Sequence, residues 1–323
     1  MLPLPMVGRA EELAEIGQAW SDLPATVVLT GGPGSGKSAL VRAALGKLDP
    51  APATVLAGQA RIHSPAPYDW LATVLSAHPH PDLPVPTDAL AWLAQQPGPP
   101  PRRYAPGSLL RLAVRTVRAL AGDGPAVIVV EDLHALDPAS LNLVAELAAG
   151  ALPALLLVTS RPPGTADVPE LAARTLAQLA GAPGVIRQHL GPLDLSEVAA
   201  LLERRYGSPA PPELVGVVHE RTGGNPYRLT ELLATSRSVT PAALLERIGA
   251  EPLPELTARE VEVLSCLAAG MSNQQVASAL GISIRTVTVH VSNLLRKTRS
   301  SSRTEAAVWA VRHNLVALPA GDR

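Results

Sequence analysis

The run Ala25-Thr-Val-Val-Leu-Thr30 passes without interruption into Gly31-Gly32-Pro33-Gly34-Ser35-Gly36-Lys37-Ser38 and then into Ala-Leu-Val-Arg-Ala-Ala-Leu45. The first stretch is β-branched and bounded by Pro24 and Gly31, so it reads as a buried strand, and the last reads as a helix. A glycine-rich loop between a strand and a helix N-terminus leaves little choice of fold. Its backbone N–H groups converge on an anion, and the helix terminus adds positive potential. Phosphate binding is the expectation. Gly31, Gly34 and Gly36 would shape the cradle, Lys37 would reach the β- and γ-phosphates of a nucleotide, and the Ser38 hydroxyl would ligate Mg²⁺.

A second apolar strand, Ala126-Val-Ile-Val-Val130, ends in Glu131-Asp132 and resembles a Walker B segment, in which acids at a strand's C-terminal end face metal and water. Glu131 is expected to help hold Mg²⁺ and Asp132 to polarise water. Asp137 precedes Pro138, the arrangement of a simple helix N-cap, while His134 is either solvated or in contact with the site. Further strands fit 53–57, 154–159 and 184–189, with helical stretches between them. That alternation predicts an α/β fold with a parallel, doubly wound sheet and its ligand at the strand C-termini. Thr159-Ser160-Arg161 ends the fourth strand, so Arg161 either senses the γ-phosphate or is a plain surface cation. Residues 195–206, 212–222 and 226–233 read as helices of a lid. The proline-rich stretch 78–107 is expected to be an excursion from the sheet fold, and its His78 and His80 lack the companions a metal site needs.

The C-terminal portion is different in kind. Thr257-Ala-Arg-Glu260, Ser272-Asn-Gln-Gln275 and Ser302-Arg-Thr-Glu305 each spell a capping box, Ser283 opens a further helix, and Gly270 and Gly281 fall where helix ends favour a left-handed residue. Four short helices follow. In the third, Ile284, Val287, Val291, Leu294 and Leu295 form an apolar stripe expected to pack on the first two helices. Arg285, Thr288, Val289, Ser292 and Arg296 project opposite, as in a helix that enters the DNA major groove. Thr288 and Ser292 suit hydrogen bonds to base edges, and Val289 suits contact with a thymine methyl. Thr286, Arg296, Lys297 and Arg303 are better placed for phosphates.

Charge supports this division. Net charge is −1, yet residues 253–318 carry seven Arg/Lys against four Glu, which puts a basic tail on an acidic body. Apolar residues make up 47% and charged residues 17%, enough for a buried core and too little charge for wholesale disorder. The single cysteine, Cys266, allows no disulfide within the chain and suits a reducing cytoplasm, as does the lack of a leader-like N-terminus or a membrane-length apolar run.

Val7-Gly8-Arg9, the glycine loop, Val-Val-Glu131-Asp132-Leu-His134-Ala-Leu-Asp137, Thr-Ser-Arg161 and Thr222-Gly-Gly-Asn225-Pro226-Tyr227 together resemble the STAND class of AAA-related ATPases. More narrowly, they resemble the ATP-binding regulators that carry a LuxR-type C-terminal domain. That resemblance implies Val7 and Arg9 near adenine, Arg161 as sensor 1, and Pro226 against the nucleotide from the lid. No Asn/Thr-Lys-x-Asp guanine motif occurs in the sequence, so ATP is expected rather than GTP. Leu256-Thr-Ala-Arg-Glu-Val-Glu-Val-Leu, Ser-Asn-Gln-Gln-Val-Ala, Ile-Ser-Ile-Arg-Thr-Val-Thr-Val-His290 and Arg303-Thr-Glu-Ala-Ala resemble the LuxR-type helix-turn-helix. That family implies dimeric binding through the last helix, here Arg303 to Asn314. Thr288 stands where its members commonly carry a DNA-contacting lysine. Thr298-Arg299-Ser300 replaces their Leu-Gly-Val, a loss expected to cost on the order of 1–2 kcal/mol.

The expected organisation is a P-loop ATPase domain over 1–190, a helical lid over 191–237, a linker over 238–253 and a helix-turn-helix domain over 254–318. The expected function is a cytoplasmic regulator that binds ATP, Mg²⁺ and double-stranded DNA as a homodimer or higher homo-oligomer, with slow ATP hydrolysis at most. Two alternatives stay open: an NTPase whose C-terminal helices bind protein, and a constitutive DNA binder with a vestigial ATPase half.

Overall fold

The computed structural model describes residues 6–59, 66–78, 83–96, 104–150, 152–162, 164, 166, 168–182, 184–234, 240–250, 256–298, 300, 302–312 and 315. The chain divides into two compact units, residues 1–248 and 249–323.

The first unit is built on five parallel strands: β1 (Ala25–Gly31), β2 (Thr54–Gln59), β3 (Ala126–Glu131), β4 (Ala154–Ser160) and β5 (Val185–Leu190). Their order across the sheet is β2-β3-β4-β1-β5. Continuous apolar runs form β1, β3 and β4 because both sheet faces are covered, as parallel sheets require. Alternate residues serve the two faces: Ile128, Val130, Leu156 and Val158 pack into one core cluster, Val127, Val129, Leu155 and Leu157 into the other. Helices α1 (Ala10–Ser21) and α2 (Lys37–Leu45) supply Ile16, Trp20, Leu40 and Val41 to the second face. Helices α3 (Asp69–Ala77), α5 (Pro106–Ala121) and α6 (Pro138–Ala149) cover the first. Fully buried Trp70 of α3 donates its indole N–H to the Val129 carbonyl at 3.0 Å, which fastens that layer to the sheet.

Within the proline-rich stretch expected to be an excursion, Thr87–Leu93 forms α4. Pro86 stands just before it, where a proline does not interrupt a helix, and Ala89 and Leu93 are buried at helical spacing. His78 ends α3, His80 lies outside the described residues, and among the described residues no group of three His, Cys, Asp or Glu could hold a metal.

α7 (Pro169–Ala180) precedes β5, and the lid follows it as α8 (Leu195–Tyr206), α9 (Pro212–Thr222) and α10 (Pro226–Ala234). Its core holds Val198, Leu202, Leu214, Val218, Leu229 and Leu233, with Val7 packed against it. The stretch expected to be a plain connection carries another helix, α11 (Pro241–Ala250), whose Leu244 is fully buried in that same lid core. Ten residues, fewer than three turns, with adjacent Leu244 and Leu245 gave no clear periodic signal for it.

Asp137 does more than cap α6. Its buried carboxylate accepts from Ala139 N and Ser140 N at 3.0 Å each, and also from Tyr68 N and Asp69 N at 3.1 Å each. One side chain thus caps two helices. Asp137→Ala removes both caps and leaves buried N–H groups unpaired, so it should cost about 2 kcal/mol, roughly 1 per cap. A urea midpoint for this unit unchanged from wild type would contradict the double role.

Among the described residues, the second unit has four helices: α12 (Ala258–Ala268), α13 (Asn273–Leu280), α14 (Ile284–Lys297) and α15 (Arg303–Arg312). Both reciprocal capping boxes form at Thr257/Glu260 and Ser272/Gln275, and Ser283 accepts from Thr286 N. Ser302 accepts from Glu305 N at 3.1 Å. Gly270 and Gly281 adopt φ of 77° and 64°. Val263, Leu264, Leu267, Val276, Val287, Leu294, Ala306 and Ala310 make the core. Ile284, expected in the packed stripe, is instead 52% exposed; it sits at the first residue of α14, beyond reach of the core that Val287 begins. Residues 299, 313 and 314 lie outside the described set. Where two apolar anchors were expected to be missed, Thr298 Oγ1 bonds Leu294 O at 2.8 Å and Ser300 Oγ at 2.9 Å, so the buried hydroxyls satisfy each other. No described helix is long and apolar enough to cross a membrane.

Candidate nucleotide site and candidate DNA interface

The C-terminal ends of β1, β3 and β4 meet at one edge of the sheet, because β4 lies between the other two. Gly31 closes β1, and Gly34 and Gly36 take left-handed conformations with φ of 74° and 95° before α2 begins at Lys37. The Lys37 ammonium, buried, donates to Gly31 O at 2.9 Å and Gly32 O at 3.0 Å. Burial lowers its pKa from the ordinary lysine value. The Asp132 carboxylate opposes that shift and the Arg161 guanidinium adds to it. Both residues expected at the site are therefore felt electrostatically at Lys37. Ser38 Oγ donates to the Glu131 carboxylate, joining the two expected metal ligands across 93 residues of sequence. Ser35 Oγ is buried without a hydrogen-bond partner among the described residues. An orphaned hydroxyl, a buried lysine hydrogen-bonded to loop carbonyls, and a hydroxyl–carboxylate pair beside a glycine loop fit a phosphate with a divalent cation.

Asp132 leaves β3 at φ 52°, a left-handed conformation that swings its side chain to 48% exposure, and its N–H donates to Thr159 Oγ1 at 3.0 Å. His134, unassigned from sequence, is buried; its Nδ1 accepts from Arg161 N at 3.2 Å and lies 3.9 Å from Asp132 Oδ1. The end of β4 is thereby fixed to the segment after β3. Arg9 is held by Glu12 Oε1 at 2.9 Å and by Gly191 O at 2.5 Å, and Val7 packs on the lid. These contacts tie the N-terminal segment to the strand-to-lid exit.

The lid touches the glycine loop directly. Asn225 Nδ2 donates to Pro33 O at 2.9 Å, and Tyr227 N donates to Gly34 O at 3.2 Å. A Cβ on Gly34 would come within 2.7 Å of Asn225 and Tyr227, so the approach itself demands glycine. Pro226 Cγ lies 4.0 Å from where a Gly36 Cβ would stand. Asn225 Oδ1 meanwhile accepts from Arg228 N at 3.2 Å, capping α10. Asn225 belongs to the motif read from sequence but had no role assigned there, although an asparagine directly before a first-turn proline is a recognisable cap signal.

In the second unit, Arg285, Thr286, Thr288, Val289, Ser292 and Arg296 are all exposed on α14. The two cations expected beside phosphates at its end and beyond it have partners inside the unit. Lys297 Nζ donates to buried Glu260 Oε2 at 2.7 Å, and Arg303 donates to Met271 O and to Asn273 Oδ1. Thr286 Oγ1 shares a hydrogen bond with Ser283 Oγ at 2.8 Å.

A P-loop sheet with a helical lid and a separate helix-turn-helix unit define the class. Residues 5–158 match the AAA ATPase domain, and residues 254–310 match the bacterial regulatory proteins of the luxR family. The chain joins an AAA ATPase domain to a LuxR-type helix-turn-helix domain. The response regulator protein VraR of Staphylococcus aureus (strain Mu3) is 49% identical over 67 residues, 21% of this chain and 32% of that protein, and VraR of Staphylococcus saprophyticus matches equally. The chain thus spans about a third of the length of these curated relatives. Among solved structures, the Walker-type ATPase PABY2304 of Pyrococcus abyssi has a TM-score of 0.52 at 16% identity, covering 95% of this chain and 96% of that one. The Aeropyrum pernix ORC1 protein, solved in complex with DNA, has a TM-score of 0.50 at 17% identity, covering 90% and 84%. At such identities the likeness is one of fold.

Proposed function

We propose that this protein is a cytoplasmic, ATP-binding regulator of transcription that binds double-stranded DNA sequence-specifically, and that its nucleotide state sets how it engages DNA. One observation carries the reading: the Ser38–Glu131 pair beside Lys37 occurs in the same chain as an exposed α14 face flanked by Arg285 and Arg296. Lys37 would meet the β- and γ-phosphates, while Gly31, Gly34 and Gly36 leave the loop N–H groups free to converge on them. Ser38 and Glu131 would hold Mg²⁺, which supplies neutralising charge on the phosphate oxygens. Asp132 would orient water for slow hydrolysis, and Arg161, held through His134, would sense the γ-phosphate. Val7, Arg9 and Pro226 would border the base and the loop from the lid side. Because Asn225 and Tyr227 already bond to loop carbonyls, a change in loop geometry on nucleotide binding is passed to α10. Val308 of α15, 46% exposed, offers an apolar contact to a second copy of the chain.

On DNA, Arg285 and Arg296 are the α14 cations with no partner among the described residues, whereas Lys297 and Arg303 also bond within the unit. Operator affinity measured at one fixed salt concentration should differ between the nucleotide-free, ADP and ATP forms by at least about fivefold, the lower end of ordinary coupling. Equal affinity in all three forms removes the coupling. Arg296→Ala should weaken binding to every duplex and lower the salt slope by about one.

A further inference from the structure

We propose that the middle of α14 reads thymine methyl groups, so that the sites this protein selects carry A·T pairs beneath Thr288 and Val289. The inference rests on the DNA-binding reading above. α14 buries Val287 and Leu294 on one side. At about 100° per residue, the opposite side presents Arg285, Val289, Ser292 and Arg296 in one row, with Thr288 beside it. The two arginines stand about 16 Å apart along the axis, and between them the row holds no cation and no amide. His290 and Asn293 are half-buried on the other flank.

What its first half holds is methyl groups and, at Thr288, a hydroxyl already spent within the helix. Val289 is 54% exposed, and Ile284, one turn before Thr288, is 52% exposed. Thr288 Oγ1 donates its proton to Ile284 O at 3.0 Å, within its own helix. It therefore keeps a methyl and acceptor lone pairs for a partner, but no donor. In the major groove guanine presents two acceptors, N7 and O6, which call for a donor-rich side chain. The middle of α14 supplies none at Thr288 or Val289. Thymine presents a C5-methyl, which Val289 and the Thr288 methyl would cover, and adenine presents an N6 donor, which Thr288 Oγ1 would accept. The arginines at the two ends leave donors for the flanks of the site.

The test uses the full chain. Duplexes are first selected from a randomised pool at one fixed salt concentration, and every thymine of the enriched core is then replaced by deoxyuridine, which removes only the C5-methyl. An A·T core is expected, with affinity falling roughly fourfold for each contacted methyl removed, the worth of one buried methyl-sized group. Val289→Ala, at an exposed position, should shrink the thymine–uracil difference, and Thr288→Ser should do the same while keeping the hydroxyl. Arg296→Ala should weaken thymine and uracil duplexes alike. A core of G·C pairs, or equal binding of thymine and uracil duplexes with salt dependence intact, overturns the inference and leaves the DNA reading standing. If no duplex is retained even at low salt, the DNA reading is overturned and this inference with it.

Discussion

Lys37→Ala should weaken ATP–Mg²⁺ binding about 100-fold or more, the worth of losing charge-assisted bonds to two phosphate groups. The wild-type ammonium is buried against Gly31 O and Gly32 O. Removing it leaves two carbonyls facing an incoming triphosphate, so attraction gives way to repulsion. The thermal readout is direct. Ligand at 100 times its dissociation constant adds about 2.7 kcal/mol to the folded state, which raises the transition of a unit this size by roughly 5–11 °C, at about 2–4 °C per kcal/mol. At the same ligand concentration that shift should shrink to about 1–2 °C or less in the variant, and a variant that keeps it whole would show that the loop is not the nucleotide site. A pH series adds a second handle. Burial holds the free Lys37 below the ordinary lysine pKa, and phosphate would raise it again on binding. Affinity for ATP should therefore be level near neutrality and fall as pH rises through the lowered value, before an unperturbed lysine would titrate. For folding without nucleotide the sign reverses: a lysine held below its ordinary pKa counts against stability at neutral pH, and the deficit shrinks as pH rises.

What could be read from sequence was what the chain decides locally. Thr257 and Glu260, or Ser272 and Gln275, exchange bonds over three residues, so a four-residue pattern is enough to place the start of a helix. Strand β3 is legible because five successive apolar residues ending in two acids have few other uses. The long-range contacts that assemble the sheet edge, the lid and the candidate nucleotide site are of another kind. Asn225 meets Pro33 across 192 residues, Asp137 meets Tyr68 across 69, and His134 meets Arg161 across 27. Nothing near Asn225 in sequence announces Pro33; the pairing exists because the sheet order and the lid bring two turns together. Helices α4 and α11 escaped for a related reason, since each is short, flanked by prolines or mixed sequence, and held by one or two leucines in a core made elsewhere. Lys297 is a further case: its place near the end of α14 suggests a phosphate contact, and only packing shows the Glu260 carboxylate it also faces.

That carboxylate carries the largest stability effect expected in the second unit. Glu260 is 4% exposed and accepts from Thr257 N at 2.8 Å, Thr257 Oγ1 at 3.0 Å and Lys297 Nζ at 2.7 Å. Lys297→Met leaves a buried charge with only the Thr257 donors. It should cost about 3 kcal/mol, a large share of what a four-helix unit of this size can muster. Amide hydrogen exchange in α12 and α14 should record the loss, and a change below about 0.5 kcal/mol, the scale of an ordinary surface substitution, would reduce the pair to a surface contact. Glu260→Gln added to Lys297→Met should recover part of the cost, because the uncompensated charge is then gone. The pH response separates the pair from simple packing. In the wild type, burial pushes the Glu260 carboxyl up, but Lys297 and Thr257 together outweigh it and the carboxyl sits below its ordinary value. A carboxyl depressed in the folded state contributes stability that is full above the unfolded value, about 4.3, and is lost as pH falls through the lower folded one. Without Lys297 only the Thr257 bonds oppose burial, so the depression of the carboxyl shrinks and the variant should lose less of its remaining stability as pH falls. A shallower acid slope in Lys297→Met than in the wild type is what an ion pair requires; parallel slopes would assign the cost of Lys297→Met to lost packing by the lysine stem.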